Sequence, residues 1–283
     1  MAESFGDRLR RRVEQTSPLC VGLDPSSGLL ERWGLPDSPA GIAAMADAVL
    51  EAVAPAAAAI KPQVAFFERH GAAGFAVLEE VLAAGRDQGL LVIADAKRGD
   101  IDSTMAAYGQ AWLSEESPLK ADALTVTGYL GIGAMQEVLE LAAATGRGLF
   151  CVVASSNREG RTLQEATIPT GASVESMLLN QLAHANEWER ACSGATLGPY
   201  GAVVGATRTA GSLALESLGG PFLVPGVGAQ GATPADVGAL FAGVPRGSVL
   251  VNASRSILAT GPDRGALRAA AEELGGQLAE ALR

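Results

Sequence analysis

The chain has only two histidines, His70 and His184, and three cysteines, Cys20, Cys151 and Cys192. Each histidine falls in a stretch that reads as helix, with no second histidine or carboxylate at metal-ligand spacing, so no metal site is expected. The cysteines are far apart, odd in number and without CxxC spacing, which excludes a disulfide framework and a zinc site; buried, reduced thiols are expected. No GxSxG element is present, which removes the serine-hydrolase elbow. No apolar run approaches the ~20 residues of a membrane span. The opening MAESFGDRLRRRVEQ mixes Glu3, Asp7 and Glu14 among its arginines and lacks an apolar run, so neither a signal nor a transit peptide is expected. Positive charge is also in deficit: a formal net charge of -10 argues against nucleic acid and anionic membranes as partners. A local basic pocket for one phosphorylated small molecule is still compatible with that balance. The expectation is a soluble, cytoplasmic protein.

What is present is apolar residue in quantity: 48% of 283 residues is enough for a large core, in one large domain or two small ones. Short apolar or β-branched runs recur at 19–24, 58–63, 90–97, 123–127, 149–156, 201–207, 221–228 and 248–254. Most end in a polar or glycine-rich loop before a longer amphipathic stretch, the alternation of βα units. Ile42, Met45, Ala46, Val49 and Leu50 have helical spacing, as do Val174, Met177, Leu178, Gln181 and Leu182. Gly89 and Gly148 precede strands, where helix C-caps are expected. Strands apolar nearly throughout belong to a parallel sheet covered on both faces. Eight such units in ~250 residues specify a (β/α)8 TIM barrel, a single domain over residues 1–283, in preference to an open doubly wound sheet. One long connection, 157–173, reads as either a lid or an elongated loop.

Polar residues gather where the apolar strands end: Asp24, Lys61, Asp95 with Lys97, Ser155 with Ser156, Gln230 and Arg255. Chemistry in this fold sits at the C-terminal strand ends, so that is the distribution an active site requires. Asp95 and Lys97 are two apart in a strand, and the period of two sends both to one face; Asp100 follows just past the strand. A solvated surface salt bridge would explain an isolated DxK but not Lys61 and Asp24 at equivalent ends. Alternating carboxylates and ammoniums favour the charged form of each while burial opposes it. The run PGVGAQG (225–231) matches GxGxxG, but no acidic residue follows ~20 positions on to hold a ribose, so a dinucleotide site does not fit. A monophosphate cradle fits better. Backbone N–H groups from this loop and from the turn after strand eight would point at one anion, with Gln230 and Arg255 adding side-chain donors.

In order, VGLDP (21–25), IKPQVAFFE (60–68), ADAKRGDIDST (94–104), PGVGAQG (225–231) and ASRSI (253–257) resemble the successive motifs of the orotidine 5'-phosphate decarboxylases. The likeness is to the longer form found in actinobacteria and myxobacteria. The resemblance implies metal-free, cofactor-independent decarboxylation of orotidine 5'-monophosphate to uridine 5'-monophosphate, the last step of de novo pyrimidine synthesis, in a homodimeric barrel. It makes Lys97 the acid that protonates the ring carbon, sets Asp95 near the departing carboxylate, and has Lys61 and Asp24 hold the ribose hydroxyls. It sends Asp100 across the dimer interface into the neighbouring site, accompanied by Ile101 and Thr104. Ser156, or its neighbour Ser155, would bond the pyrimidine, Gln230 and Arg255 would grip the phosphate, and Ser254 would be among the substrate-binding residues. Magnesium-dependent relatives that share DxKxxD carry a metal-binding glutamate where Lys61 stands, and a cation there would repel the metal. One departure stands out: in TGYLG (127–131) a bulkier polar residue is expected before the tyrosine, and no role is assigned there.

Overall fold

A computed structural model describes residues 2–228 and 230–283. Among them eight strands run in parallel, each beside its sequence neighbour: β1 (Leu19–Leu23), β2 (Ala59–Pro62), β3 (Leu91–Arg98), β4 (Ala123–Thr127), β5 (Gly148–Ala154), β6 (Tyr200–Val204), β7 (Phe222–Pro225) and β8 (Val249–Ala253). β1 pairs back onto β8 and closes the barrel. The helices are α1 (Phe5–Gln15), α2 (Ser27–Arg32), α3 (Pro39–Val53), α4 (Ala65–Glu68), α5 (Gly71–Asp87), α6 (Asp102–Leu113), α7 (Gln136–Ala144), α8 (Arg161–Gln164), α9 (Val174–Ser193), α10 (Pro234–Leu240), α11 (Arg255–Leu258) and α12 (Arg264–Ala281). The expected barrel and all eight strands are present. The sixth unit departs from the expected alternation: between β6 and β7 the chain forms only a short 3₁₀ turn, Leu215–Ser217.

The period of two divides the strands between two cores. Cys20, Ala59, Leu91, Ile93, Ala123, Phe150, Val203, Leu223 and Leu250 point inward and pack as one cluster. Their neighbours, among them Val21, Ile60, Val92, Leu124, Cys151, Ala202, Val224 and Val251, point outward into the layer beneath the helices. Phe5 and Leu9 of α1 join the inner cluster and are fully buried, so α1 plugs the N-terminal end of the barrel. Phe5 meets Phe150 edge to face at 5.8 Å, a favoured aromatic geometry. With its base stoppered in this way, the barrel offers its C-terminal mouth for chemistry.

The predicted helical faces of α3 and α9 bury Ile42, Met45, Ala46, Val49, Leu50, Leu178 and Leu182, although Gln181 is exposed. Three sequence expectations need correction. Gly89 has a positive φ of 79° just past α5, as a C-cap glycine should, but after α7 that role falls to Gly146, at 65°. Gly148 instead opens β5, where a Cβ would stand 2.3 Å from the Phe5 ring. Cys20 and Cys151 are buried, but Cys192 is exposed on the last turn of α9. His70 is not within a helix; it sits at the junction ahead of α5. No helix among the described residues is long and apolar enough to cross a membrane.

Candidate active site

At the mouth, the inward positions change character. In β2, β3 and β4 the residue above the apolar layer is Lys61, Asp95 or Thr125, and in β8 it is Asn252. Across the barrel the matching wall is Val152, Val203, Leu223 and Pro225. These residues, with Lys97, Ser155, Ser156 and Asn157, enclose a cavity of about 260 Å³. Larger hollows of about 630 and 800 Å³ lie outside α7 and α9 and beside the C-terminus, and neither is lined by such a charge array.

Asp95 is the hub. Lys61 Nζ donates to its Oδ2 at 2.5 Å, Lys97 Nζ to its Oδ1 at 2.5 Å, and the Thr125 hydroxyl to the same Oδ1 at 2.9 Å. Lys61 and Asp95 are 5% and 6% exposed, so these charges interact with little screening by water. Burial alone would push the Asp95 carboxyl up, but the ammoniums of Lys61 and Lys97 outweigh it and bring its pKa down to about 2. Burial would likewise lower the Lys61 pKa, yet the carboxylates of Asp95 and Asp24 carry it above the ordinary lysine value. Both partners are therefore held in their charged forms. The Lys97 side chain is 49% exposed, the one ammonium of the array with access to the open mouth.

The meeting of Asp95 and Lys97 was expected from strand periodicity, but the backbone achieves it otherwise. Between Ala94 and Arg98 the β3–β4 register shifts, and Lys97 has φ = 46°, in the left-handed region that costs a non-glycine residue roughly 1–2 kcal/mol. Its N–H is caught by the Thr125 hydroxyl oxygen at 2.9 Å. The kink turns the ammonium back over Asp95, and strain held this way is a mark of functional sites.

Of the other predicted residues, Ser156 lines the cavity. Asp24 stands close enough to Lys61 to influence its charge, and Ser254 packs where a Cβ on Gly22, the register partner of Lys61, would lie 2.8 Å away. Asp24 Oδ1, Asn252 Oδ1 and Ser254 Oγ are buried with no protein partner, polar atoms that require one in a folded protein. Asp100, Ile101 and Thr104 do not line the cavity of their own chain; Asp100 accepts from the Ile101 N–H at 2.9 Å, and Ile101 and Thr104 face outward.

Gln230 and Arg255 are exposed, the first on the loop after β7 and the second at the start of α11, and these segments meet where Gly228 approaches Ser256. Gly226, Gly228 and Gly231 all have positive φ, which explains the glycines of that motif; its Ala229 lies outside the described residues. The N–H groups of Gly228 and Gly231 bond within the loop, to Ala232 O and Gly228 O, so they do not form the cradle in the way expected. At TGYLG the small residue also has a reason. A Cβ on Gly128 would lie 2.9 Å from Leu178 and 3.0 Å from Cys151 Sγ, leaving no room for a bulkier side chain.

Sequence reasoning missed Thr125, Asn252 and Asn157. The first two carried a signal, since each is a polar residue at an inward position of an apolar strand. Asn157, in the loop, carried none. Among the described residues no group of three or more His, Cys, Asp or Glu side chains gathers as a metal cluster would.

Comparison with known proteins agrees with this geometry. A family model described as orotidine 5'-phosphate decarboxylase / HUMPS matches residues 17–270. A Streptomyces coelicolor protein named orotidine 5'-phosphate decarboxylase is 48% identical over 272 residues, 95% of each chain. One of the same name from Salinispora tropica is 47% identical over 272 residues, 96% of each. The crystal structure of a candidate orotidine 5'-phosphate decarboxylase from Streptomyces avermitilis superposes with a TM-score of 0.93 at 46% identity, covering 99% of this chain and 96% of that one. Leishmania donovani OMP decarboxylase superposes at 0.75 with 28% identity, over 98% of each chain.

Proposed function

Since the chain belongs to the orotidine 5'-phosphate decarboxylase / HUMPS family and is an orotidine 5'-phosphate decarboxylase of the pyrimidine pathway, we propose that it works without metal or cofactor, with Lys97 as the proton donor. The observation that carries this is the Asp95 carboxylate bridging two ammoniums at 2.5 Å, one buried and one open to the cavity. In the reaction the bond from ring carbon to carboxylate breaks, carbon dioxide leaves, and the electron pair stays on the ring carbon. That carbon has no attached electron sink, so a charge already in place must stabilise it. Lys97 supplies that charge and then the proton, and Asp95 fixes the ammonium while lying near the departing carboxylate. Uridine 5'-monophosphate is the product.

Lys61 and Asp24 orient the array and hold the ribose hydroxyls, Ser156 bonds the pyrimidine, Gln230 and Arg255 take the phosphate, and Ser254 contributes to substrate binding. Binding energy from that remote phosphate can hold the reacting end against Asp95. Asp100, with the outward-facing Ile101 and Thr104, serves the partner's site in a cytoplasmic homodimer. A magnesium-using relative of the same family is disfavoured by Lys61, whose buried positive charge occupies the ground a metal would need.

The test follows loss of orotidine monophosphate absorbance in EDTA. Wild type is expected to turn over and Lys97→Ala to lose activity by several orders of magnitude; an inactive wild type, or one that requires magnesium, refutes the proposal. Mixing inactive Asp100→Ala with inactive Lys97→Ala should restore activity through hybrid dimers, and no recovery despite proven subunit exchange would remove the shared site.

A further inference from the structure

The connection from Asn157 to Ser173 could be read as a lid or as an elongated loop, and α8 within it has a more specific contact. The side-chain amide of Gln164 makes both of its bonds to one residue. The Ser155 N–H donates to Gln164 Oε1 at 3.1 Å, and Gln164 Nε2 donates to Ser155 Oγ at 2.8 Å. The Ser155 hydroxyl in turn donates to Asn157 Oδ1 at 2.7 Å. Gly160 is a second, independent sign that this cluster is built. A Cβ there would lie 2.7 Å from Ser155 Oγ, 2.9 Å from Gln164 Nε2 and 3.3 Å from Asn157 Oδ1. Its φ of -67° is open to any residue, so the need for glycine is steric.

The helix is also held from its far side. Glu165, the residue after Gln164, reaches Arg208 Nη1 at 3.1 Å, and Arg208 Nη2 pairs with Glu175 in the first turn of α9. The side chains of Arg208 and Glu175 are 4% and 5% exposed, so the anchor is buried on the Arg208 side, while Glu165 is 52% exposed. Arg208 follows β6, and so does Gly205, where a Cβ would lie 2.7 Å from Ser156 Cα. Ser156 is thus confined by β6 on one side and, through Ser155, by α8 on the other. Ser155, Ser156 and Asn157 all line the cavity, and the hydroxyl of Ser155 is engaged by both Gln164 and Asn157.

We propose that Gln164 is a positioning residue for the pyrimidine end of the site, fixing Ser155 through its N–H and Oγ so that the neighbouring Ser156 hydroxyl is presented to the ring. The Glu165–Arg208 pair holds α8 where Gln164 can do this. The inference rests on the decarboxylase reading, in which Ser156 contacts the pyrimidine. It makes α8 part of the specificity of the site for the base, with no contact to the sugar or phosphate.

Calorimetric titration with uridine 5'-monophosphate and with ribose 5-phosphate tests it. Gln164→Ala removes two hydrogen bonds in a half-exposed setting, and about a tenfold weaker Kd for the nucleotide is expected, with ribose 5-phosphate affinity within about twofold of wild type and an unchanged melting temperature. Gly160→Ala, which displaces the same three side chains while keeping Gln164, should do likewise. Ser155→Ala added to Gln164→Ala should weaken nucleotide binding by less than about a further twofold, because residues acting through one another are not additive. Equal weakening of both ligands, no weakening of either, or multiplying effects of the two substitutions would overturn the proposal. A wild type that binds neither ligand would overturn the decarboxylase reading, and this inference with it, before any variant is compared.

Discussion

Replacing Asp95 by Asn keeps the shape of the hub and removes its charge, so the consequence can be worked out from the structure. The native carboxyl is held at a pKa of about 2, nearly two units below an ordinary aspartate, and it is 6% exposed, so no large discount for solvent applies. At 1.36 kcal/mol per unit this is about 2 kcal/mol of stability at neutral pH. The substitution adds a second cost: Lys61, 5% exposed, loses the partner 2.5 Å away and keeps only the more distant Asp24. Breaking a buried pair by removing one partner typically costs ~3–5 kcal/mol, but Lys61 can shed its proton and cap the loss. The expected total is about 2–4 kcal/mol, or a melting temperature lower by roughly 3–7 °C for a chain of this size.

The pH dependence distinguishes this account from simple loss of packing. A depressed carboxyl pKa contributes stability that is present above the unfolded value and lost as pH falls through the folded one, here toward about 2. Lys61 has the opposite sign: its raised pKa contributes stability present below the unfolded lysine value and lost as pH rises through the folded one. In Asp95→Asn both contributions disappear. The gap between wild type and variant should be widest between about pH 5 and 9 and narrow toward both extremes. Urea denaturation across that range reads it directly, with an unchanged m value certifying the comparison. Lys61→Met added to Asp95→Asn should recover most of the loss, since an apolar residue of similar size replaces the stranded charge. A gap that is absent at pH 7, or constant with pH, would refute the electrostatic reasoning.

Two further outcomes follow from single contacts. Thr125→Val keeps the shape but deletes the bond to Asp95 Oδ1 and the acceptor for the Lys97 N–H, at a residue 1% exposed. A stability loss of ~1–3 kcal/mol is expected, with kcat/KM reduced at least about tenfold as the kinked Lys97 backbone is released; an unchanged rate would mean that Thr125 does not hold the lysine. Burial pushes the Cys20 and Cys151 thiols up to about 12, while Cys192 is exposed, so a thiol reagent at pH 8 should label Cys192 rapidly in the native protein and the other two only on unfolding. Fast native labelling of either buried thiol would contradict the packing described.

The strands were legible because a closed parallel barrel covers both faces of every strand, which leaves eight apolar runs that no loop would carry. The charge array was legible for a related reason: Lys61 and Asp95 are charged residues set into those runs. Other features depend on contacts between distant segments. Gly148 lacks a side chain because of Phe5, and Gly128 because of Leu178, and neither partner is near in sequence. Cys192 was placed inside by the habit of its residue type, but it borders an outer hollow with Trp188 and Glu189. The missing sixth helix falls in a stretch whose glycines and serines support a tight turn as readily as a helix end. Gln164 gave no signal, since its role exists only once α8 is folded against Ser155.

Asp95 and Lys97 meet as the strand period of two requires, but the backbone brings them together by a departure from the regular strand, and that departure bears on function. In a regular strand Lys97 would project into the mouth at the level its register dictates, free to follow any anion. The register shift and the left-handed backbone at Lys97 instead bend the ammonium back onto Asp95, and Thr125 ties down both the carboxylate and the Lys97 N–H. Facing this array is the apolar wall of Val152, Val203, Leu223 and Pro225, which offers no competing dipoles and keeps the local dielectric low. An ammonium fixed in that setting stabilises a nearby negative charge more strongly than a mobile one in water, because it is already oriented when the charge forms. The strain at Lys97 is thus intelligible as the local cost of that preorganisation.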